Sequence, residues 1–163
     1  MNARQLMTPL PAVVASSDRI FRAAEVMKYE AVGCLPVVSD FHTRRLVGLI
    51  TDRDISVRCT ARRHGAECSV FEHMTPLPLQ TVGPGAGLTE IVSKMNGARV
   101  RRLPVVDSDG SLIGIVSESD LIRKLPERES LVLQQALRTT FPSAVARMRV
   151  ILRETALPTP MPS

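Results

Sequence analysis

The sequence predicts a mixed α/β (α+β) fold built from two similar half-domains, and three observations carry that prediction. The stretch "GLITDRDI" from Gly48 returns as "GIVSESDL" from Gly114. Met7-Thr8-Pro9-Leu10-Pro11 returns as Met74-Thr75-Pro76-Leu77-Pro78, and "LPVV" stands at both 35–38 and 103–106, so that each landmark recurs 66–68 residues later in the same order. Within each copy, apolar residues shift from helical spacing to short continuous runs, the pattern of a helix between strands. A fixed period of this length marks a duplicated structural unit.

The elements follow in chain order. Each copy opens on a short helix, capped by Asn2 in the first and by Ser69 in the second, where Glu72 completes a capping-box pattern. The Met-Thr-Pro turn comes next, then a short strand near 13–14 or 79–82. An amphipathic helix is expected over 18–29, where Ile20, Ala23, Ala24 and Met27 recur at helical spacing, and over 88–96. Strands follow at 34–38 and 46–50, and at 103–106 and 112–116. "DSDGS" at 107–111 signals a hairpin through Asp109-Gly110. A last helix starts after Thr51 or Ser117. Each half thus reads strand, helix, strand, strand, helix, with one apolar sheet face that it cannot bury alone. Two halves packed face to face can bury it, and they leave clefts where the sheets meet. The repeats are placed at 2–60 and 69–125, with a polar linker at 61–68 and a helical extension at 126–163. In that extension, helices are expected at 127–139 and 144–154.

Composition narrows the function classes. The chain has 163 residues, 44% hydrophobic and 23% charged, enough to bury a core. Only 3% aromatic and no Trp leave an aliphatic core and no stacking platforms for single-stranded nucleic acid. The formal charge of +5 comes mostly from Arg, whose guanidinium fork suits phosphates. Cys34, Cys59 and Cys68 form a sparse set without framework spacing, which points to a reducing, cytoplasmic setting. No signal-peptide pattern is present and no apolar run approaches the ~18 residues of a membrane span. Neither a hydrolytic triad nor a phosphate-transfer loop is visible; "GPGAG" at 83–87 lacks the following Lys-Ser/Thr and reads as a turn. The expectation is a protein that is not an enzyme.

The repeated Gly-x-x-Thr/Ser-x-x-Asp has a plain structural reading. Thr51 and Ser117 stand where a strand becomes a helix and can serve as N-caps, with Asp54 and Asp120 favouring the helix dipole. Two details point beyond capping. A capping box prefers the longer Glu or Gln where both copies have Asp, and the glycine lets something approach the backbone closely. A helix N-terminus with a hydroxyl suits an anion, and a fixed carboxylate can accept both hydrogen bonds of a vicinal diol. Phosphate and diol together describe a nucleotide.

With Met-Thr-Pro, "LPVV" and Gly-x-x-Thr/Ser-x-x-Asp each present twice over residues 2–124, the chain resembles the CBS domain pair, or Bateman module, of the stand-alone bacterial type. That resemblance implies binding of adenosine-containing ligands: AMP, ADP or ATP first, NAD or S-adenosylmethionine less often. The nucleotide would be a regulatory ligand, not a catalytic cofactor. Asp54, Thr51 and Leu49 would form one site, and Asp120, Ser117 and Ile115 the other, the aspartates holding ribose hydroxyls. The resemblance also implies pockets shared across the pair, with Val82, Arg101 and Arg102 facing the Asp54 site and Val14, Gly33 and Cys34 facing the Asp120 site. Between hydroxyl and aspartate one copy has Asp52-Arg53 and the other Glu118-Ser119. Arg53, Arg101 and Arg102 are the candidate phosphate clamps, so the Asp54 site is expected to take the more highly charged ligand. A homodimer and a regulated protein partner are implied, with no nucleic acid and no membrane. The alternative is a structural dimerisation module with vestigial clefts.

Two further signals are set aside at this level. Cys59, His64, Cys68 and His73 are spaced Cys-x4-His-x3-Cys-x4-His, but lack the tight Cys-x2-Cys hook of zinc sites and read as ordinary linker residues, so no metal is expected. "SAVARMRVILRE" at 143–154 is amphipathic and basic, and is expected to pack on the module or on a second subunit.

Overall fold

The computed structural model describes residues 1–127 and 130. The helices expected at 127–139 and 144–154 lie, but for residues 127 and 130, outside the described residues. The chain divides into two compact units, Met1–Leu121 and Ile122–Ser163, and every strand belongs to the first.

In chain order the elements are α1 (Ala3–Leu6), β1 (Thr8–Pro9), β2 (Val14–Ala15), α2 (Ile20–Glu30), β3 (Cys34–Val38), β4 (Leu46–Thr51) and α3 (Asp52–Asp54). A π-helical turn at Ile55–Cys59 and a 3-10 turn at Thr60–Arg62 continue α3. Then come α4 (Val70–His73), β5 (Thr75–Pro76), α5 (Leu88–Ala98), β6 (Arg102–Val106), β7 (Leu112–Ser117) and α6 (Glu118–Lys124). Both expected lead-in caps form: Asn2 with Gln5, and Ser69 with Glu72, each close a capping box. The long helices α2 and α5 end alike, on Ala31 and Arg99 in the left-handed region at φ 53° and 54°. The hairpin between β6 and β7 turns through Gly110 at φ 80°, while the Asp107 carboxylate accepts from the Asp109 and Ser111 amides.

Each half has its own antiparallel hairpin, β3–β4 or β6–β7, in matching register with a bulge at Val37/Val38 and at Val105/Val106. β4 and β7 alternate buried and half-buried residues, one face to the core, whereas the chain is buried throughout β3. Val14 pairs with Val37 in parallel, and Val82 bridges Val105 in the same way.

An outer strand of each sheet, three-stranded in the order β1-β7-β6 and four-stranded in the order β2-β3-β4-β5, comes from the other half. β1 pairs with β7, setting Pro9 opposite Gly114, and β5 pairs with β4, setting Pro76 opposite Gly48. Proline is tolerated in these edge strands because its missing N–H leaves no inner ladder bond unmade. The lead-in helices follow their strands. Ala3 and Arg4 donate to Ala86 and Pro84 in the second half, so "GPGAG" is a turn that receives α1, while Val70 and Phe71 donate to Asp18 and Ser16 in the first. Val38 and Leu46 pack on Leu112 in one buried cluster, and Leu46 N donates to Gly110 O at 3.1 Å, tying the two hairpins together.

The first half's core gathers Val14, Ile20, Ala23, Met27, Leu35, Val37 and Ile50 with Cys59, Val70 and Met74. Among the described residues, no helix is long and apolar enough to cross a membrane.

Candidate functional site

Antiparallel pairing decides where the candidate residues lie. A hairpin sets the start of its first strand against the end of its second, so the residues before "LPVV" adjoin the hydroxyl-bearing residue of their own copy. Cys34 pairs with Thr51, and the Asp52 amide donates to Gly33 O at 3.1 Å. Arg102 pairs with Ser117, and the Glu118 amide donates to Arg101 O at 2.9 Å. Leu49 and Ile115, half-buried, sit on the inner strands facing Thr75 and Thr8 of the opposite copy.

The two junctions are built alike. Thr51 N and Oγ1 both donate to Asp54 Oδ2, at 2.9 and 2.7 Å, and the Asp54 amide donates back to Thr51 Oγ1 at 3.1 Å. Ser117 N and Oγ donate to Asp120 Oδ2 at 3.0 and 2.6 Å, and the Asp120 amide returns a bond of 3.2 Å to Ser117 Oγ. The view that aspartate is too short for a capping box is therefore corrected. With the hydroxyl turned toward it, the short carboxylate closes the box in both copies. Only one oxygen of Asp54 is spent in this way; Oδ1 lies 3.3 Å from Arg58 Nε. Asp120 is buried, whereas Asp54 is half-buried.

Five placements differ from expectation. Gly33 and Cys34 stand beside Asp52 and Asp54 of their own copy, and Arg101 lies 3.8 Å from Glu118 of its own copy. Val14 and Val82, each 1% exposed, are interior residues paired within their own halves; the strand that crosses over is the Met-Thr-Pro segment. The glycine's close neighbour is that same segment. A β-carbon on Gly48 would stand 2.6 Å from Met74 Sδ and 2.8 Å from Thr75 O, and one on Gly114 would collide with the Met7 side chain. What approaches the backbone at Gly48 and Gly114 is thus protein.

One cross-copy placement is visible in the electrostatics. Burial pushes the Cys34 thiol up to about 11; the Arg102 guanidinium acts against that shift, and the Asp54 and Asp52 carboxylates add to it. An arginine of the second half and an aspartate of the first therefore act on one thiol. Arg53, Arg102 and Ser119 are exposed, and the guanidinium groups of Arg53 and Arg102 make no hydrogen bond or ion pair among the described residues.

Arg58 is the site residue that sequence reasoning missed. Its Nη1 donates to His73 O, Met74 O and Thr75 Oγ1 at 3.1–3.2 Å while its Nε faces Asp54, so it braces the junction against the crossing strand. The only signal for it was an acid and a base four residues apart after a cap.

Residues 3–58 and 70–127 each match the model of the CBS domain. The chain belongs to the CBS domain family. It is 30% identical to Hypoxic response protein 1 of Mycobacterium tuberculosis over 83% of this chain and 92% of that protein. With the CBS domain-containing protein YhcV of Bacillus subtilis it shares 35% identity over 79% of this chain and 89% of the relative. Both relatives are stand-alone proteins of this family. A crystal structure of Hypoxic Response Protein I with two coordinated zinc ions superposes with a TM-score of 0.70 at 31% identity, over 77% of this chain and all of that one. CBSX2 in complex with AMP superposes with a TM-score of 0.64 at 31% identity, over 75% of this CBS protein and 93% of CBSX2. The expected family and the paired-repeat α/β fold are thus established.

Proposed function

We propose that this CBS protein is a non-enzymatic sensor of adenosine-containing ligands, AMP, ADP or ATP, bound where the two repeats meet. The observation that carries this reading is the Thr51–Asp54 junction, where the cap takes only Oδ2 of the carboxylate and the exposed Arg53 stands on the same turn, with Arg102 of the other repeat acting on the neighbouring Cys34 thiol. A nucleotide needs a cation for phosphate and a carboxylate for its diol, and this junction offers both, with exposed Arg53 beside them. The AMP complex of CBSX2, 31% identical, supports the ligand class. Asp54 would receive the ribose through Oδ1, exchanging the Arg58 contact for diol hydrogen bonds while Oδ2 keeps its cap. Because Arg58 also holds Met74 and Thr75, that exchange would carry ligand occupancy into the crossing strand. Regulation requires that ligand favour one arrangement over another. A homodimer in a reducing cytoplasm, and a protein partner that responds to it, complete the proposal.

The test is a thermal-shift panel of AMP, ADP, ATP, NAD and S-adenosylmethionine, followed by calorimetry on Asp54→Asn, Arg102→Ala and Asp120→Asn. Asparagine keeps an acceptor for the cap and removes the charge. Asp54→Asn and Arg102→Ala should each weaken ATP binding by about tenfold or more, the loss of one charge-assisted bond. Asp120→Asn should weaken it less. Equal losses at the two aspartates would refute the asymmetry. Silence across the whole panel would favour the second reading, a structural dimerisation module, which the capping use of both carboxylates supports.

A further inference from the structure

We propose that Cys59, Cys68 and His73, joined by His64, form a zinc site that clips the linker between the two CBS repeats. The sequence spacing argued against such a site, but spacing along the chain is not separation in space. Cys59 closes the π-helical turn, Cys68 ends the linker and His73 ends α4, and one ligand atom from each lies within 4.8 Å of the others. Tetrahedral zinc holds sulfur at about 2.3 Å and nitrogen at about 2.0–2.1 Å. Small side-chain rotations toward a common centre close the remaining gap.

Three independent features make this more than a cluster of residues. His73 is 3% exposed, and its Nε2 is buried without a hydrogen-bond partner among the described residues. A buried imidazole nitrogen left unpaired in a folded core calls for a partner. The His64 ring stands 5.2 Å from the His73 ring, centroid to centroid, and is exposed, so it is placed to swing in as the fourth ligand. Cys59 and His64 also line a groove of about 370 Å³ with Ile20, Phe21 and Ile55, which gives an ion a way in from solvent. Two thiolates and two imidazoles select zinc over the harder cations, which prefer oxygen ligands. Zinc binds sulfur as thiolate, so its uptake would release the protons of the coordinating thiols to solvent, with no change of oxidation state. The clip would join the turn that follows Asp54 to the residue preceding Met74, the methionine packed on Gly48.

The proposal stands whether or not a nucleotide binds, and its test uses metal alone. The full chain, reduced and stripped with a chelator, is titrated with Co²⁺ and then with Zn²⁺. One Co²⁺ per chain should bind with the intense visible bands of a four-coordinate ion and a near-ultraviolet thiolate-to-cobalt band, both abolished by one equivalent of Zn²⁺. Cys68→Ser should halve the thiolate band and weaken cobalt by more than about 100-fold, beyond the cost of losing an outer-shell partner. His64→Ala should weaken binding while leaving the thiolate band intact, and His42→Ala, in an exposed turn, should change neither. A weakly absorbing six-coordinate spectrum, the absence of saturable binding to the wild-type chain, or a Cys68→Ser spectrum equal to that of wild type would each overturn the site. The wild-type titration decides the matter even if a variant fails to fold.

Discussion

Replacing Gly114 by alanine sets a methyl group against Met7, which the first half sends across the pair. The added carbon would fall closest to Met7 Sδ, and would stand 2.8 Å from Cγ and 3.1 Å from Cβ, all tighter than ordinary van der Waals contact. Met7 is itself buried at 7% exposure, so its chain has little room to retreat. Overpacking of this kind costs about 1–3 kcal/mol. In a chain of this length each kcal/mol moves the melting temperature by about 2–4 °C, so Gly114→Ala should lower it by about 2–12 °C. Met7→Ala alone should cost about 2–5 kcal/mol as a buried methionine truncated to a cavity. In the double variant the new methyl group occupies part of that cavity. The double-mutant cycle, measured by urea denaturation, should therefore show a favourable coupling of about 1–3 kcal/mol. At the equivalent Gly48 the second neighbour is Thr75 O, a backbone atom that no side-chain substitution removes, so the Gly48→Ala/Met74→Ala cycle should couple more weakly. Additivity within about 0.5 kcal/mol at Gly114 and Met7 would refute the account of why the repeated motif begins with glycine.

Three further outcomes follow from the junctions and the turn between β3 and β4. The folded Cys34 thiol titrates near 11 against an unfolded 9.0, so its contribution is whole below about pH 9 and fades as pH climbs toward 11. Cys34→Ala should flatten that alkaline loss, worth about 2–3 kcal/mol, in denaturation curves taken across the window. Asp40 is held down to about 2 by the Thr43 hydroxyl first, then by the Thr43 amide, so its share of stability is present above about pH 4 and lost on acidification toward 2. Thr43→Val should raise the Asp40 pKa in a carbon-detected NMR titration, and an unmoved value would contradict the assigned cause. Thr51→Val removes the hydroxyl of the capping box and keeps the side-chain shape, so it should cost about 0.5–2 kcal/mol in chemical denaturation, a loss that the nucleotide reading alone does not require.

The hairpins were legible because their signals are local. The apolar runs at 46–50 and 112–116, the "LPVV" runs and the Asp109-Gly110 turn all act within a few residues, and each expected hairpin strand lies within one residue of the observed one, whereas the strand expected at 79–82 is reduced to the single bridge of Val82 with Val105. The duplication was legible for the same reason twice over. The exchange of Met-Thr-Pro segments was not, since a two-residue strand carrying proline has no periodicity to announce its partner. Gly48 and Gly114 were its trace, read first as room for a ligand. At the site, Thr51, Asp54, Ser117 and Asp120 were placed correctly at strand-to-helix junctions. Their mutual hydrogen bonds depend on rotamers that sequence does not specify. The assignments of Gly33, Cys34 and Arg101 across the pair ignored hairpin geometry, which fixes them beside their own hydroxyl residue. The cysteine–histidine cluster escaped because the π-helical turn at Ile55–Cys59 cannot be foreseen from residue type, yet it brings Cys59 to Cys68 and His73.

The traded edge strands bear on what happens when this chain is cut. Proteolysis between 60 and 69 would leave two fragments, each still holding the outermost strand of the other's sheet. Neither fragment could leave without stripping its neighbour of a strand and baring a row of amide and carbonyl groups. Separation would thus require both sheets to open together, and a nicked molecule should persist as a clasped pair. Expressed apart, each fragment would show a vacant sheet border as a template for aggregation, and mixing the two would supply the missing halves.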